Sequence, residues 1–140
     1  MNVKGLSPGA PGFVVIVHAL AQARAAVAAA NAAGQELILL SSVAAGSQAG
    51  AAWWRALIAL SGHQGEDILD CGTDGAAALE ALRLGQRLLV IEGPFAASLA
   101  DMAAGLGAAV VGRPAGLDLS LPGAQRALAH YFGPAPGPCQ

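Results

Sequence analysis

The sequence predicts a small three-layer α/β/α domain with a mostly parallel five-stranded sheet. Five short apolar segments are spaced along the chain, stretches of helical composition separate them, and glycines follow those stretches. Strands that alternate with helices form parallel sheets, because each crossover helix returns the chain to the same edge of the sheet. At 140 residues the chain is long enough for one continuous core, so we expect a single domain.

The five predicted strands are almost continuously apolar instead of alternating. This pattern is typical of strands that are covered on both faces, so we expect helices on both sides of the sheet. The predicted strands are 13–18, 36–41, 67–71, 88–92 and 108–112.

The helical stretches are defined by their ends. The predicted helices are 20–33, 47–61, 73–84, 94–106 and 122–132. Gly34, Gly62, Gly85 and Gly107 follow the first four, where a left-handed C-cap residue is favoured. At the starts, Thr73 with Asp74 offers an N-cap, and Pro94 and Pro122 suit the first helical turn.

The order of the strands is less determined than their number. A flavodoxin-like order 2-1-3-4-5 is favoured over a Rossmann-like order 3-2-1-4-5, because there are five strands and no long crossover insertion. Residues 1–12 and 133–140, rich in proline and glycine, are expected to form a flexible leading segment and a tail.

Composition limits the partners. The net charge of -2 and the scattered arginines argue against nucleic acid, which needs a concentrated basic surface. No apolar run is long enough for a membrane span, and the apolar stretch after Lys4 is short for a secretion signal, so we expect a cytoplasmic protein. Only 11% of residues are charged, which predicts a homo-oligomer. Cys71 and Cys139 need not pair, because a core of this size requires no disulfide.

Candidate functional residues are selected by position. In open parallel sheets, ligands bind outside the carboxyl ends of the strands. The resulting ligand-binding candidates are Ser41, Ser42, Gly72, Thr73 and Glu92, and Arg113 follows the last predicted strand. Two serines before a helix suggest an anion site, although ordinary helix capping explains them equally well.

Three further residues are weak catalytic candidates: Cys71, His18 and Asp70. A thiol beside a helix N-terminus is activated as a nucleophile, with His18 as its base, whereas a buried cysteine is inert. Asp70 and Glu92 suggest either an acid–base pair or two helix caps. A thiol-dependent enzyme using Cys71 is therefore one alternative function.

The second predicted helix carries Trp53 and Trp54 and is apolar over a wide arc. Such a helix is covered on two sides, either by one core or by a second subunit. A structural or interaction protein that dimerises through this helix is the other alternative.

Specific cofactor motifs are not found. The sequence contains no G-x-x-x-x-G-K-[ST] loop, no G-x-G-x-x-G after the first strand, no histidine spacing for zinc and no G-x-S-x-G elbow. We therefore predict no metal and no cofactor. The leading functional hypothesis is binding of a small polar or anionic metabolite at the carboxyl ends of the strands.

Overall fold

The computed structural model describes residues 12–133, so nearly all of the predicted leading segment and tail, and Cys139, lie outside the described residues. Six strands are formed within this range: β1 (Phe13–Val17), β2 (Leu37–Ser41), β3 (Asp67–Asp70), β4 (Leu88–Val90), β5 (Ala109–Val110) and β6 (Leu117–Asp118). The helices are α1 (Leu20–Ala33), α2 (Ala45–Gln48), α3 (Ala51–Ser61), α4 (Gly75–Arg83), α5 (Ala96–Gly105) and α6 (Ala124–Tyr131).

The strands form one parallel sheet in the order β5-β4-β3-β2-β1-β6. The α/β class and the parallel sheet are confirmed, with a sixth strand in addition to the five predicted. The favoured flavodoxin-like order was wrong, and so was the Rossmann-like one, because β1 pairs with β2 and β6 and not with β3 or β4. The first four crossovers each move one strand further in the same direction.

This winding places the described helices on a single face of the sheet. Right-handed crossovers that advance in one direction put every connecting helix on the same side. Accordingly, all six helices contribute to one apolar cluster with strand residues such as Leu39 and Leu69. The alternate strand residues form a second cluster to which no described helix contributes: Val14, Ile16, Ile38, Leu40, Ile68, Leu88 and Val90. We call this side the helix-free face; the expected second helical layer is absent from residues 12–133.

The connection from β5 to β6, residues 111–116, crosses the helix-free face as an extended strap. It must span five inter-strand spacings, about 24 Å, and seven Cα steps reach at most about 25 Å. Val111 packs against the apolar cluster of that face, and a Cβ on Gly116 would lie 2.7 Å from the Val14 side chain. Passing back over the opposite face also keeps this crossover right-handed.

The helix boundaries agree closely with those predicted from the sequence. The first helix has the predicted bounds, and α4, α5 and α6 differ from theirs by one or two residues at each end. The predicted helix 47–61 is instead two helices, α2 and α3, because Gly50 adopts φ 95° between them. No helix of the described residues combines the length and apolar character needed to span a membrane.

Candidate functional site

Asp70, the last residue of β3, is the best-anchored polar side chain at the carboxyl ends of the strands. Its side chain is only 4% exposed. Oδ1 accepts hydrogen bonds from the backbone N–H groups of Ala44 (3.2 Å) and Gly72 (2.8 Å), and Oδ2 accepts from Arg113 Nη1 at 2.9 Å. One buried carboxylate therefore joins the loop after β2, the loop after β3 and the strap.

Ser41 takes part in the same network as a structural group. Its buried hydroxyl accepts a hydrogen bond from the backbone N–H of Asp70 and donates to the carbonyl of Ser42, both at 2.9 Å. Arg113 Nη1 also donates to the Ser41 carbonyl at 3.1 Å. The Ser41 hydroxyl is thus engaged within the protein, which leaves Ser42 as the serine available to a ligand.

The Arg113 guanidinium is bound to the protein through one nitrogen, and its other two nitrogens are available as donors. Nη1 makes both of its contacts, while Nε and Nη2 have no hydrogen-bond partner among the described residues. The side chain is 24% exposed. Its remaining donors form the planar fork that recognises carboxylate or phosphate in a bidentate manner.

His18 and Asp118 form a polar pair on β1 and β6. His18 Nε2 lies 2.8 Å from Asp118 Oδ1. Partial burial by itself raises the Asp118 pKa, but hydrogen bonds from the N–H and hydroxyl of Ser120 and from His18 outweigh it and lower the pKa. An ionised Asp118 can only accept, so Nε2 carries the hydrogen, and Nδ1 has no hydrogen-bond partner among the described residues.

Strand register brings these groups to a common rim. His18, Ser42 and Asp70 each lie two residues beyond a member of the helix-free face, so they continue that face across three neighbouring strands. His18 follows β1, and Arg113 contacts Asp70 on β3, so Ser42, which follows the intervening strand β2, lies between them along the rim. We call the group His18, Ser42, Asp70, Arg113 and Asp118 the carboxyl-edge site.

The other predicted ligand residues border this site. Glu92 is exposed, and its backbone N–H donates to the Gly72 carbonyl at 2.8 Å, which joins the loops after β3 and β4. Thr73 is exposed beside Gly93. The side chains of Asp70 and Glu92, the two predicted helix caps, do not cap a helix. Asp74 caps α4 instead, because its carboxylate accepts a hydrogen bond from the Ala77 N–H at 3.0 Å.

Cys71 is separated from His18 by the sheet itself. It follows Asp70 and packs into the helix-covered core, where it has no exposed surface. Burial raises the pKa of its thiol to about 12, and the negative charges of Asp70 and Asp74 act in the same direction. These surroundings oppose thiolate formation, so the geometry gives the thiol-enzyme alternative no support.

The two tryptophans of α3 differ in accessibility. Trp54 has no exposed surface, and its Nε1–H donates to Asp67 Oδ1 at 2.9 Å. Trp53 is partly buried against the same core. A second subunit could therefore contact Trp53 but not Trp54, and dimerisation through this helix stays a prediction.

Sequence reasoning missed Asp118 and the role of Arg113. Asp118 lies on a strand of only two residues, which is too short to give an apolar pattern. The only signal was the alternation Leu117, Asp118, Leu119, Ser120. Within residues 12–133 no cluster of three or more His, Cys, Asp or Glu side chains is placed to hold a metal ion.

Comparisons with known proteins add no functional assignment. Neither a protein-family model nor a curated protein matches this chain.

Proposed function

We propose that this protein binds a small polar or anionic metabolite at the carboxyl-edge site. The observation that carries the proposal is the Arg113 guanidinium, which is fixed through Nη1 while Nε and Nη2 face no protein acceptor among the described residues. A cation that is already oriented loses little side-chain entropy when a ligand binds, so its free donors are well suited to recognition.

The neighbours of Arg113 fit the same class of ligand. The Ser42 hydroxyl makes no hydrogen bond to a described residue, and His18 offers Nδ1 on the far side of Ser42. A ligand with a carboxylate or phosphate at Arg113 and a hydroxyl that donates to His18 Nδ1 would use all three groups. Asp70 balances the charge of Arg113, which favours ligands with few negative charges.

The two alternatives have weaker support. The thiol reading needs an accessible Cys71, whose side chain is buried. The interaction hypothesis retains only Trp53 of the two indoles of α3, because Trp54 has no surface to offer a partner. The carboxyl-edge site depends on neither residue.

Thermal denaturation with a panel of small anions tests the proposal. Glycerol 3-phosphate, glucose 6-phosphate, lactate and succinate are the probes. At least one should raise the melting temperature of the wild type, because a ligand that binds only the folded state stabilises it. Calorimetry of that probe should show at least tenfold weaker binding to Ser42→Ala and to Arg113→Lys, which keeps the charge and loses the fork.

Arg83→Gln is the control for net charge, since this exposed arginine ends α4 at the opposite edge of the sheet and its loss removes a positive charge, which Arg113→Lys does not. Binding should be unchanged in that variant. The proposal is wrong if no probe stabilises the wild type, or if Arg113→Lys and Arg83→Gln bind the stabilising probe as tightly as wild type does.

A further inference from the structure

A second buried carboxylate, Asp67, lies at the other end of β3. Its side chain is 10% exposed, and Oδ1 accepts three hydrogen bonds: from Trp54 Nε1 (2.9 Å), Arg55 Nη1 (2.8 Å) and Gln86 Nε2 (2.8 Å). Gln86 is itself buried and accepts from Arg55 Nη1 at 2.7 Å. All of these donors converge on a single oxygen atom.

The other carboxylate oxygen, Asp67 Oδ2, has no hydrogen-bond partner among the described residues. No fully buried side-chain nitrogen or oxygen of the described chain lacks a partner, so Oδ2 must reach solvent. The solvent it reaches is a cleft of about 830 Å³ at the amino ends of β2 and β3, which Asp67 helps to line. That volume suits a small metabolite.

The rim of this amino-edge cleft carries charge of both signs. Glu36 and Glu66 line it with Asp67, and Arg55 and Arg87 provide the cations. Pairing of Ile68 with Leu88 places Arg87 beside Asp67 on the neighbouring strand. The Arg87 guanidinium is exposed and makes no hydrogen bond or ion pair within residues 12–133.

The inner wall of the cleft is partly apolar. The half-buried Val27 provides an accessible apolar side chain there, and the almost fully buried Leu37 and Ile38 also line the cleft, next to the polar groups of the rim. A ligand that satisfied the whole surface would need a hydrogen-bond donor for Asp67, an anionic group for Arg87 and an apolar portion for this wall.

We propose that the amino-edge cleft is a second ligand site, which binds an α-amino acid with an apolar side chain. The ammonium group donates to Asp67 Oδ2, the carboxylate pairs with Arg87, and the side chain packs on the apolar wall. The juxtaposition of a half-satisfied buried carboxylate and an unpaired arginine carries this inference. It is independent of the carboxyl-edge site, which lies at the opposite end of the same strand.

Three matched probes test the two charged subsites: L-leucine, 3-methylbutylamine, which lacks the carboxylate, and 4-methylpentanoate, which lacks the amine. The readout is the Trp54 indole N–H resonance in a ¹H–¹⁵N spectrum, because this group shares Asp67 with the ligand. The chain has only two tryptophans, so Trp53 is the internal control.

L-leucine should shift the Trp54 indole resonance in a saturable manner and leave that of Trp53 in place. The two analogues should bind at least tenfold more weakly, since each loses one ionic contact. Absence of a saturable Trp54 shift overturns the proposal, and so does equal binding of L-leucine and 3-methylbutylamine, because Arg87 would then have no role.

Variants separate this site from the proposed function. Arg87→Gln should weaken L-leucine at least tenfold and leave 3-methylbutylamine unaffected, whereas Arg83→Gln should change neither. Arg113→Lys should leave the L-leucine titration unchanged, so failure of one site is distinguishable from failure of the other. If Arg87→Gln binds L-leucine like the wild type, the assignment of the carboxylate to Arg87 is wrong.

Discussion

The two ends of β3 each bury an aspartate against an arginine, but the two pairs do different work. Asp70 uses both oxygens: Oδ1 binds two backbone N–H groups and Oδ2 binds Arg113. Asp67 collects three donors on Oδ1 and leaves Oδ2 without a partner among the described residues. Three positions apart in a strand, the two side chains point to opposite faces of the sheet.

The difference shows that an aspartate–arginine pair can leave either its cation or its anion available to a ligand. At the carboxyl end both oxygens of the aspartate have partners, and the groups left without a partner are donors of the arginine. At the amino end an anionic oxygen is left open instead. The carboxyl end is therefore expected to bind an acceptor, which Arg113 can donate to, and the amino end a donor, which Asp67 Oδ2 can accept from.

The largest loss of stability is expected when Trp54, which donates to Asp67, is replaced. Truncation to Ala removes a fully buried indole and one donor to Asp67, so the free energy of unfolding should fall by about 4 kcal/mol. Trp53→Ala is the matched control and should cost about 1 kcal/mol, since that side chain is only partly buried. Urea denaturation measures both. Similar losses for the two variants would contradict the described burial.

Removal of Arg113 should lower the free energy of unfolding more than removal of Arg55. Arg113→Met leaves the buried Asp70 carboxylate without a cation and should cost about 3 kcal/mol in the free energy of unfolding. Arg55→Met should cost about 1 kcal/mol, because Trp54 and Gln86 still donate to Asp67 and its second oxygen reaches solvent.

A double variant sharpens this comparison. Adding Asp70→Asn to Arg113→Met should recover at least about 1 kcal/mol, since the uncompensated charge is removed. Additive losses in the double variant would show that Asp70 and Arg113 are not coupled, and equal losses for Arg113→Met and Arg55→Met would show that the two ends of β3 are equivalent.

Close packing behind Asp70 predicts an intermediate effect at Gly46. A Cβ there would lie 2.7 Å from Cys71 Sγ and 3.3 Å from the Asp70 carbonyl, so Gly46→Ala should destabilise by about 2 kcal/mol. Gly105→Ala, at the end of α5, meets nothing within 4 Å and should be neutral or stabilising. Thermal and urea denaturation provide the measurement; a neutral Gly46→Ala would mean that α2 is not packed on the end of β3.

The smallest effect concerns Asp118. Its pKa is lowered in the folded state, so its contribution to stability is present above the unfolded pKa of about 4 and is lost as the pH falls through the folded value. Asp118→Asn should cost about 1 kcal/mol at pH 7, and this difference should shrink below about pH 4. A difference that is constant between pH 7 and pH 3 would argue against an ionised Asp118 bonded to Ser120 and His18.

Local features of the fold were predictable because their signals are local. Helix α1 has its predicted bounds, and Gly34 and Gly62 adopt the expected positive φ of 66° and 79°. The strand order was not predictable, since the partner of β1 depends on contacts between residues about 100 positions apart. The continuous apolar strands predicted helices on both faces, which was wrong for the helix-free face, because an extended strap of six residues has no periodicity to reveal it.

The candidate site was predictable in position and not in chemistry. The rule that ligands bind at strand carboxyl ends selected His18, Ser42 and Asp70, which the register brings to one rim. The pairing of Asp70 with Arg113 joins residues 43 positions apart, and that of His18 with Asp118 joins residues 100 apart. Tertiary structure alone creates both pairs. The open oxygen of Asp67 likewise depends on Gln86 and Arg55 meeting it from other elements.

The proposed binding requires that Arg113 is fixed at the carboxyl edge with donors free for a ligand. The most direct measurement is the Arg113 Nε–H resonance in an arginine-selective ¹H–¹⁵N spectrum, assigned by its loss in Arg113→Lys and followed while the stabilising anion is added. We expect the Nε–H signal to shift, to saturate and to exchange more slowly with water as the ligand binds, and the His18 ring signals to shift with it. A signal that is averaged as in a free side chain, or that does not respond while the anion binds, would contradict it.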